Sequence, residues 1–296
     1  MPAFFPEKIR FDIAKEDIVS FFADNKQKVF RPKDIYNILK QNRKFWRIAE
    51  NTTAKQFIEW MLAETGLKEQ NFEFPSRTYI RYTWGAVPIL ALVASLRPES
   101  YFSHYTAVYL HNLTEQLPKT IYINYEQPPK QKKEGPLDQT AIDRAFQNKM
   151  RMTRNYASHG NYRIYMLNGK HTNRLGVSDF KIDEENMAQV TNIERALIDI
   201  TVRPYYAGGV HEVLKAYKNA QGYISVNKLT AFLKQLDYKY PYHQAIGFYL
   251  ERTGAYKESS IKLLNNFPKT NDFYLDYNMK ETNYSKKWRL FYPKGF

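Results

Sequence analysis

Along the first 65 positions apolar residues recur at helical spacing in three separate runs. Between Ala14 and Asn25 they fall at Ile18, Phe21 and Phe22, and the polar run Lys26-Gln27-Lys28 ends the pattern. Arg31-Pro32 then puts proline in a first turn, where its missing N–H costs nothing, and Ile35, Ile38 and Leu39 continue one apolar face to about Gln41. After a polar and aromatic connection, Asn51, Thr52 and Thr53 supply capping groups for a third helix. Its buried stripe is Phe57, Ile58, Met61 and Leu62, Trp60 packs rather than projects, and Gly66 ends it. From there the period becomes two: Phe72 and Phe74, a Pro75-Ser76 turn, then alternating β-branched and aromatic residues from Thr78 to Trp84, which predict a hairpin.

Three helices followed by a hairpin predict a winged helix-turn-helix over residues 1–85. Residues 86–296 form a second, larger domain in this reading. Arg97-Pro98 and Glu99-Ser100 read as a turn, Ser103 to about Leu113 as an amphipathic helix, and Thr120–Tyr125 as a strand. The polar stretch from Gln127 to Lys133 is an aperiodic loop. Tyr162–Leu167 and Met187–Val190 are strand-like, and helices are expected at Asn192–Val202, Gly209–Ala220, Val226–Leu236 and His243–Arg252. Alternation in Tyr274–Met279 and Lys286–Pro293 predicts a closing strand pair added to the same sheet. The fold class is α+β, with a helical C-terminal half.

Composition narrows the function classes. Hydrophobic residues make up 43% of the 296 positions, and 24 Tyr and 19 Phe are too much packing material for a disordered chain. Without cysteine there is no disulfide and no thiolate metal site, which fits a reducing compartment. The opening residues carry charges every few positions instead of the apolar core of a secretory signal. The longest apolar stretch, Ala86–Leu96, falls short of the ~20 residues that cross a bilayer. The expectation is a soluble cytoplasmic protein with no membrane partner.

A net charge of +14 favours a polyanionic partner, nucleic acid first. Residues 1–85 hold 15 Lys and Arg against 11 Asp and Glu, so most of the surplus lies outside the expected reading head. In a helix-turn-helix the early residues of the third helix lie nearest the bases, which nominates Thr52, Thr53, Lys55, Gln56 and Glu59. Lys55 can contact guanine or phosphate, and Gln56 can read adenine with two hydrogen bonds. Arg77 and Arg81 in the wing suit phosphate or the minor groove. The basic loop residues Lys130, Lys132 and Lys133, with Arg151 and Arg154 beyond, suit flanking phosphate or simply solvent.

Other chemistry is weaker. His104 and His111 stand two turns apart, a spacing that fits caps or core contacts better than metal ligation. Asp138, Asp179 and Lys181 loosely match the acid and lysine pattern of a Mg²⁺-dependent PD-(D/E)xK nuclease, although short strings of this kind arise by chance in a Lys-rich chain. Gly208-Gly209 opens a helix whose N–H groups could hold an anion, but a plain helix start suffices. Glu194, Arg195 and Asp199 fall on one helix, and a buried Arg195 paired with a carboxylate would hold the second domain together, with a partner-binding polar patch as the alternative. No phosphate-binding Gly-rich loop is present, so no cofactor, metal or ATP chemistry is expected. A nuclease and a protein-binding adaptor of a defence system remain open beside the DNA binder.

Two segments, with Leu250–Tyr256 near the end and the winged head, carry a family likeness over most of the chain. The stretch from Ser95 to Gln127, with Ser103-His104-Tyr105, resembles the corresponding segment of AbiEi antitoxins. Val190–Tyr217, with Glu194-Arg195, Asp199 and Gly208-Gly209, resembles their second motif. The resemblance implies a type IV antitoxin from a phage-defence operon. Its winged domain would repress the operon by binding repeated operator sites on double-stranded DNA. Its larger domain would counter a co-encoded nucleotidyltransferase toxin without necessarily forming a stable complex, and the motif residues would keep the fold before serving function.

Overall fold

The computed structural model describes residues 7–130, Gly135 and residues 137–296. It is an α+β chain of two compact units. The first comprises the residues up to Pro98 together with Ala157–Gly160 and Ile182–Met187; the second holds the remainder.

The first unit runs α1 (Glu7–Ile13), α2 (Lys15–Asp24), β1 (Val29–Phe30), α3 (Pro32–Asn42), α4 (Ala54–Glu64), β2 (Leu67–Phe74), β3 (Arg77–Trp84) and α5 (Ile89–Ala94). The strands β2 and β3 form an antiparallel hairpin closed at Pro75-Ser76, and β1 adds antiparallel to the far side of β3. The apolar stripes named above do the packing: Ile18, Phe22, Ile35, Leu39, Phe57 and Met61 are buried together with Phe30 and Trp46. Trp60 is buried against Phe11, ring on ring at 4.9 Å, as its packed assignment requires. The helix α5 belongs to this unit because the buried Arg81 holds its C-terminal end.

The second unit is built on a sheet. In chain order the elements are β4 (Tyr101–Phe102), α6 (His104–Leu110), β5 (Thr120–Glu126), α7 (Gln139–Gln147), β6 (Tyr156–His159), which falls in the first unit apart from Tyr156, β7 (Tyr162–Gly169), β8 (Val177–Lys181) and β9 (Met187–Thr191). Helices α8 (Ile193–Val202), α9 (Val210–Asn219), α10 (Val226–Leu236), α11 (Tyr242–Arg252) and α12 (Glu258–Asn265) follow, with a 3-10 turn at Pro204–Ala207. The strands of this unit run in the order β7-β5-β4-β9-β8, with β5 parallel to β7 and β4 parallel to β9. The chain closes with β10 (Phe273–Tyr274), β11 (Thr282–Ser285) and β12 (Leu290–Pro293), which make a separate three-stranded sheet. The expected addition to the main sheet does not occur. Of the first alternating run only Tyr274 lies in a strand, and of the second only Leu290–Pro293; β10 pairs with β12 and β12 with the intervening β11, and this small sheet packs on α11 through Phe273, Trp288 and Leu290.

Helix α8 is the centre of this unit, with every residue from Glu194 to Thr201 buried. A helix buried all round must satisfy each charge it carries. At α11 the packing leaves no room for a side chain at Gly247: a Cβ there would lie 2.1 to 2.2 Å from ring atoms of the fully buried Trp288. Alanine gains ~1 kcal/mol in helix propensity, but overpacking costs ~1–3 kcal/mol. Gly247→Ala is therefore expected to lower the urea midpoint, and an unchanged midpoint would mean that Trp288 can shift freely.

Candidate functional site

The start of α4 is built by a reciprocal cap. Thr53 accepts a hydrogen bond from the Gln56 backbone N–H, and the Gln56 side-chain oxygen accepts from the Thr53 N–H at 2.9 Å and from its hydroxyl at 2.6 Å. Arg43 fixes the preceding connection to this cap by donating to the backbone carbonyls of Ala49 and Thr52. Trp46 anchors the same connection from inside, stacked on Phe57 at 5.8 Å. The first turn of α4 is thus held rigidly while Thr53, Lys55, Gln56 and Glu59 face solvent.

Lys55 is 85% exposed and meets Glu59 at 3.8 Å. A pair of this kind is worth only ~0.3–0.5 kcal/mol, so the ammonium is free to move to a phosphate or base at small cost. Gln56 has a second duty as a cap partner. Removing the Thr53 hydroxyl in Thr53→Ala is expected to lower stability by ~1 kcal/mol, read as a fall in the thermal midpoint. Loss of DNA retention in Gln56→Ala would mix that effect with any contact role.

Two of the residues nominated from sequence are buried. Thr52 is buried behind the cap, and its backbone carbonyl accepts from Arg43. Arg81 is buried, donating to the carbonyls of Ile80, Ser95 and Leu96 and to the Ser95 hydroxyl; burial lowers its pKa, yet these acceptors hold it in place. It ties the hairpin to α5 and is withdrawn from the contact set. Arg77, at the hairpin tip, is exposed and lies over the Tyr79 ring at 4.8 Å.

The structure adds residues that the sequence pattern passed over. Lys40 at the end of α3 and Lys44 and Arg47 in the α3–α4 connection are exposed, as are the aromatic Tyr36 and Phe45, the latter at 70%. The signal was present in Arg43-Lys44-Phe45-Trp46-Arg47, where basic and aromatic residues interleave without periodicity. The exposed cations of this connection lie on the segment that Arg43 ties to the first turn of α4.

In the second unit the motif residues are structural first. Arg195 donates through Nε to Asp199 at 2.8 Å and through its guanidinium to the Leu175 carbonyl at 2.8 Å and the Thr172 hydroxyl at 3.2 Å. Burial works against the Arg195 charge, but the Asp199 carboxylate more than offsets it and raises its pKa. Glu194 accepts from the Ser225 N–H at 3.1 Å and meets Lys228 at 3.0 Å. Ser103 precedes α6, and its hydroxyl lies 2.8 Å from His104 Nδ1. Burial pushes the His104 pKa down to about 4, which keeps the ring neutral. Tyr105 meets the Thr114 hydroxyl at 2.9 Å. Gly208 and Gly209 have φ of 83° and 100°, a left-handed pair between the 3-10 turn and α9 that side chains would strain.

The residues of the nuclease reading are occupied separately. Asp138 caps α7 by accepting from the Ala141 N–H at 2.6 Å, and Asp179 accepts from the Gln189 amide. Lys181 is exposed at the end of β8. His111 lies 2.7 Å from the Thr191 carbonyl, a structural contact. Among the described residues no three His, Asp or Glu side chains are grouped to hold a metal ion, and no helix is long and apolar enough to cross a membrane. Lys130, Arg151 and Arg154 are exposed; Lys132 and Lys133 lie outside the described residues.

The sequence matches no protein-family model and no curated protein. Its fold is similar to that in the crystal structure of the Rv2827c protein from Mycobacterium tuberculosis. The TM-score is 0.59 at 12% identity, over 94% of this chain and 91% of the other. At that identity the likeness is one of fold.

Proposed function

We propose that the first unit is a winged helix-turn-helix that binds double-stranded DNA, with α4 as the recognition helix and the β2–β3 hairpin as the wing. The observation that carries this reading is the rigidly capped first turn of α4, which turns Thr53, Lys55, Gln56 and Glu59 to solvent beside a basic connection. Element order supports it: helix, short strand, helix, helix and hairpin, with the short strand paired to the hairpin's second strand. In this reading Lys55 and Gln56 meet base edges, while Lys44, Arg47 and Arg77 meet phosphates.

The motif segments extend the proposal. The chain is an autorepressing antitoxin of a type IV toxin–antitoxin operon, and its second unit serves to counter a nucleotidyltransferase toxin. The test is retention of a labelled fragment from upstream of the chain's own gene against an excess of random DNA. Specific, salt-sensitive retention supports the repressor. Equal retention of both fragments overturns it and leaves the adaptor reading.

A further inference from the structure

The second unit carries a half-open cavity of about 780 Å³, within the ~300–1,000 Å³ range of small-molecule sites. Its wall carries five cations, Lys130, Arg151, Lys170, Arg195 and Arg203, against a single carboxylate, Asp199. That carboxylate is engaged by Arg195. Lys170 is committed in part, donating to the Leu236 and Asp237 carbonyls at 2.5 and 3.2 Å. The guanidinium groups of Arg151 and Arg203 have no hydrogen bond or ion pair among the described residues. A wall with this excess of positive charge, closed by a buried ion pair on one side, selects an anion.

Two further features narrow the anion. A free guanidinium presents a planar fork that matches a phosphate's oxygens better than a point charge does. On the same wall stand the rings of Tyr206 and Tyr238, and the neutral His104, whose φ of 53° is a strained backbone position for a residue with a side chain. Aromatic rings beside phosphate-binding forks are the means by which proteins hold a base together with its phosphate.

We propose that this cavity binds a mononucleotide, its phosphate on Arg151 and Arg203 and its base among the tyrosine rings. The site is independent of the DNA reading, because its residues lie in the second unit and those of α4 in the first.

The test is calorimetric titration of the full chain with AMP, GMP, CMP and UMP, then with the matching nucleosides and with ribose 5-phosphate. At least one nucleotide is expected to bind at micromolar concentration, with its nucleoside and ribose 5-phosphate each weaker by about tenfold or more. Arg203→Ala and Arg151→Ala are each expected to weaken it by about tenfold, with unchanged thermal midpoint and unchanged DNA retention. Should Arg203→Ala fail to fold, the exposed Arg151→Ala carries the test. The proposal is overturned if no nucleotide gives saturable heat at millimolar concentration, if ribose 5-phosphate binds as tightly as the nucleotides, or if a foldable Arg151 variant binds like the parent.

Discussion

Replacing Lys44, Arg47 and Lys55 together with alanine is expected to weaken binding to the chain's own promoter about 100-fold at 0.1 M salt. The three side chains are exposed, and only the weak Lys55–Glu59 pair is lost, so the fold should keep its thermal midpoint. Each phosphate contact removed also removes a released counterion, about 0.9 in the slope of log K against log salt. The slope should therefore flatten by about 3 in the triple variant if all three meet phosphate, and by about 2 if Lys55 meets a base. Fluorescence anisotropy over several salt concentrations reads both quantities. An unchanged affinity with an intact fold would remove α4 and its connection from the interface. The parallel substitution Arg81→Ala should instead lower stability, because it strips donors from the carbonyls of Ser95 and Leu96.

The second large effect concerns the centre of the other unit. Arg195→Ala leaves the Asp199 carboxylate buried without its cation, and removing one partner of a buried pair costs ~3–5 kcal/mol. The Leu175 carbonyl and the Thr172 hydroxyl lose a donor as well. The urea midpoint of the second unit is expected to fall accordingly. Replacing both partners, as Arg195→Met with Asp199→Leu, should cost far less, because no charge is then stranded. If Arg195→Ala costs under about 1 kcal/mol, water reaches Asp199 and the pair is not the buried tie described here.

How much of this was legible in the sequence differs from element to element. The helices α3 and α4 were, because their 3.6-residue apolar stripes are clean and Thr53 with Gln56 spells out a reciprocal cap. The hairpin was legible in extent but not in facing. A period of two fixes which residues share a face, not which face is inward. Hydrophobicity alone would turn Ile80 in and Arg81 out, yet Ile80 is exposed and Arg81 buried. What decides the matter is the end of α5, whose carbonyls need donors, and no local pattern records that need.

The same limit explains the other departures. Asp138, whose charge suggested metal chemistry, caps α7 from the position before it; this role emerges only once a helix follows it. Of the closing strands only β12 was visible as alternation, because the others are set by Phe273, Trp288 and Leu290 packing on α11, contacts far apart in sequence. The basic connection between α3 and α4 went unweighted because it has no periodicity, although it carries exposed Lys44 and Arg47. Conversely, a carboxylate partner for a buried Arg195 was legible, and the structure identifies it as Asp199, four residues along the same helix.

The most direct test of the DNA-binding account is methylation interference at guanine N7 on the chain's own promoter, since that atom lies in the major groove. The account predicts that methylation of guanines in a few repeated, evenly spaced clusters blocks binding, and that Lys55→Ala relieves the effect at one guanine of each cluster. Full binding to promoter DNA methylated throughout at N7 would contradict it.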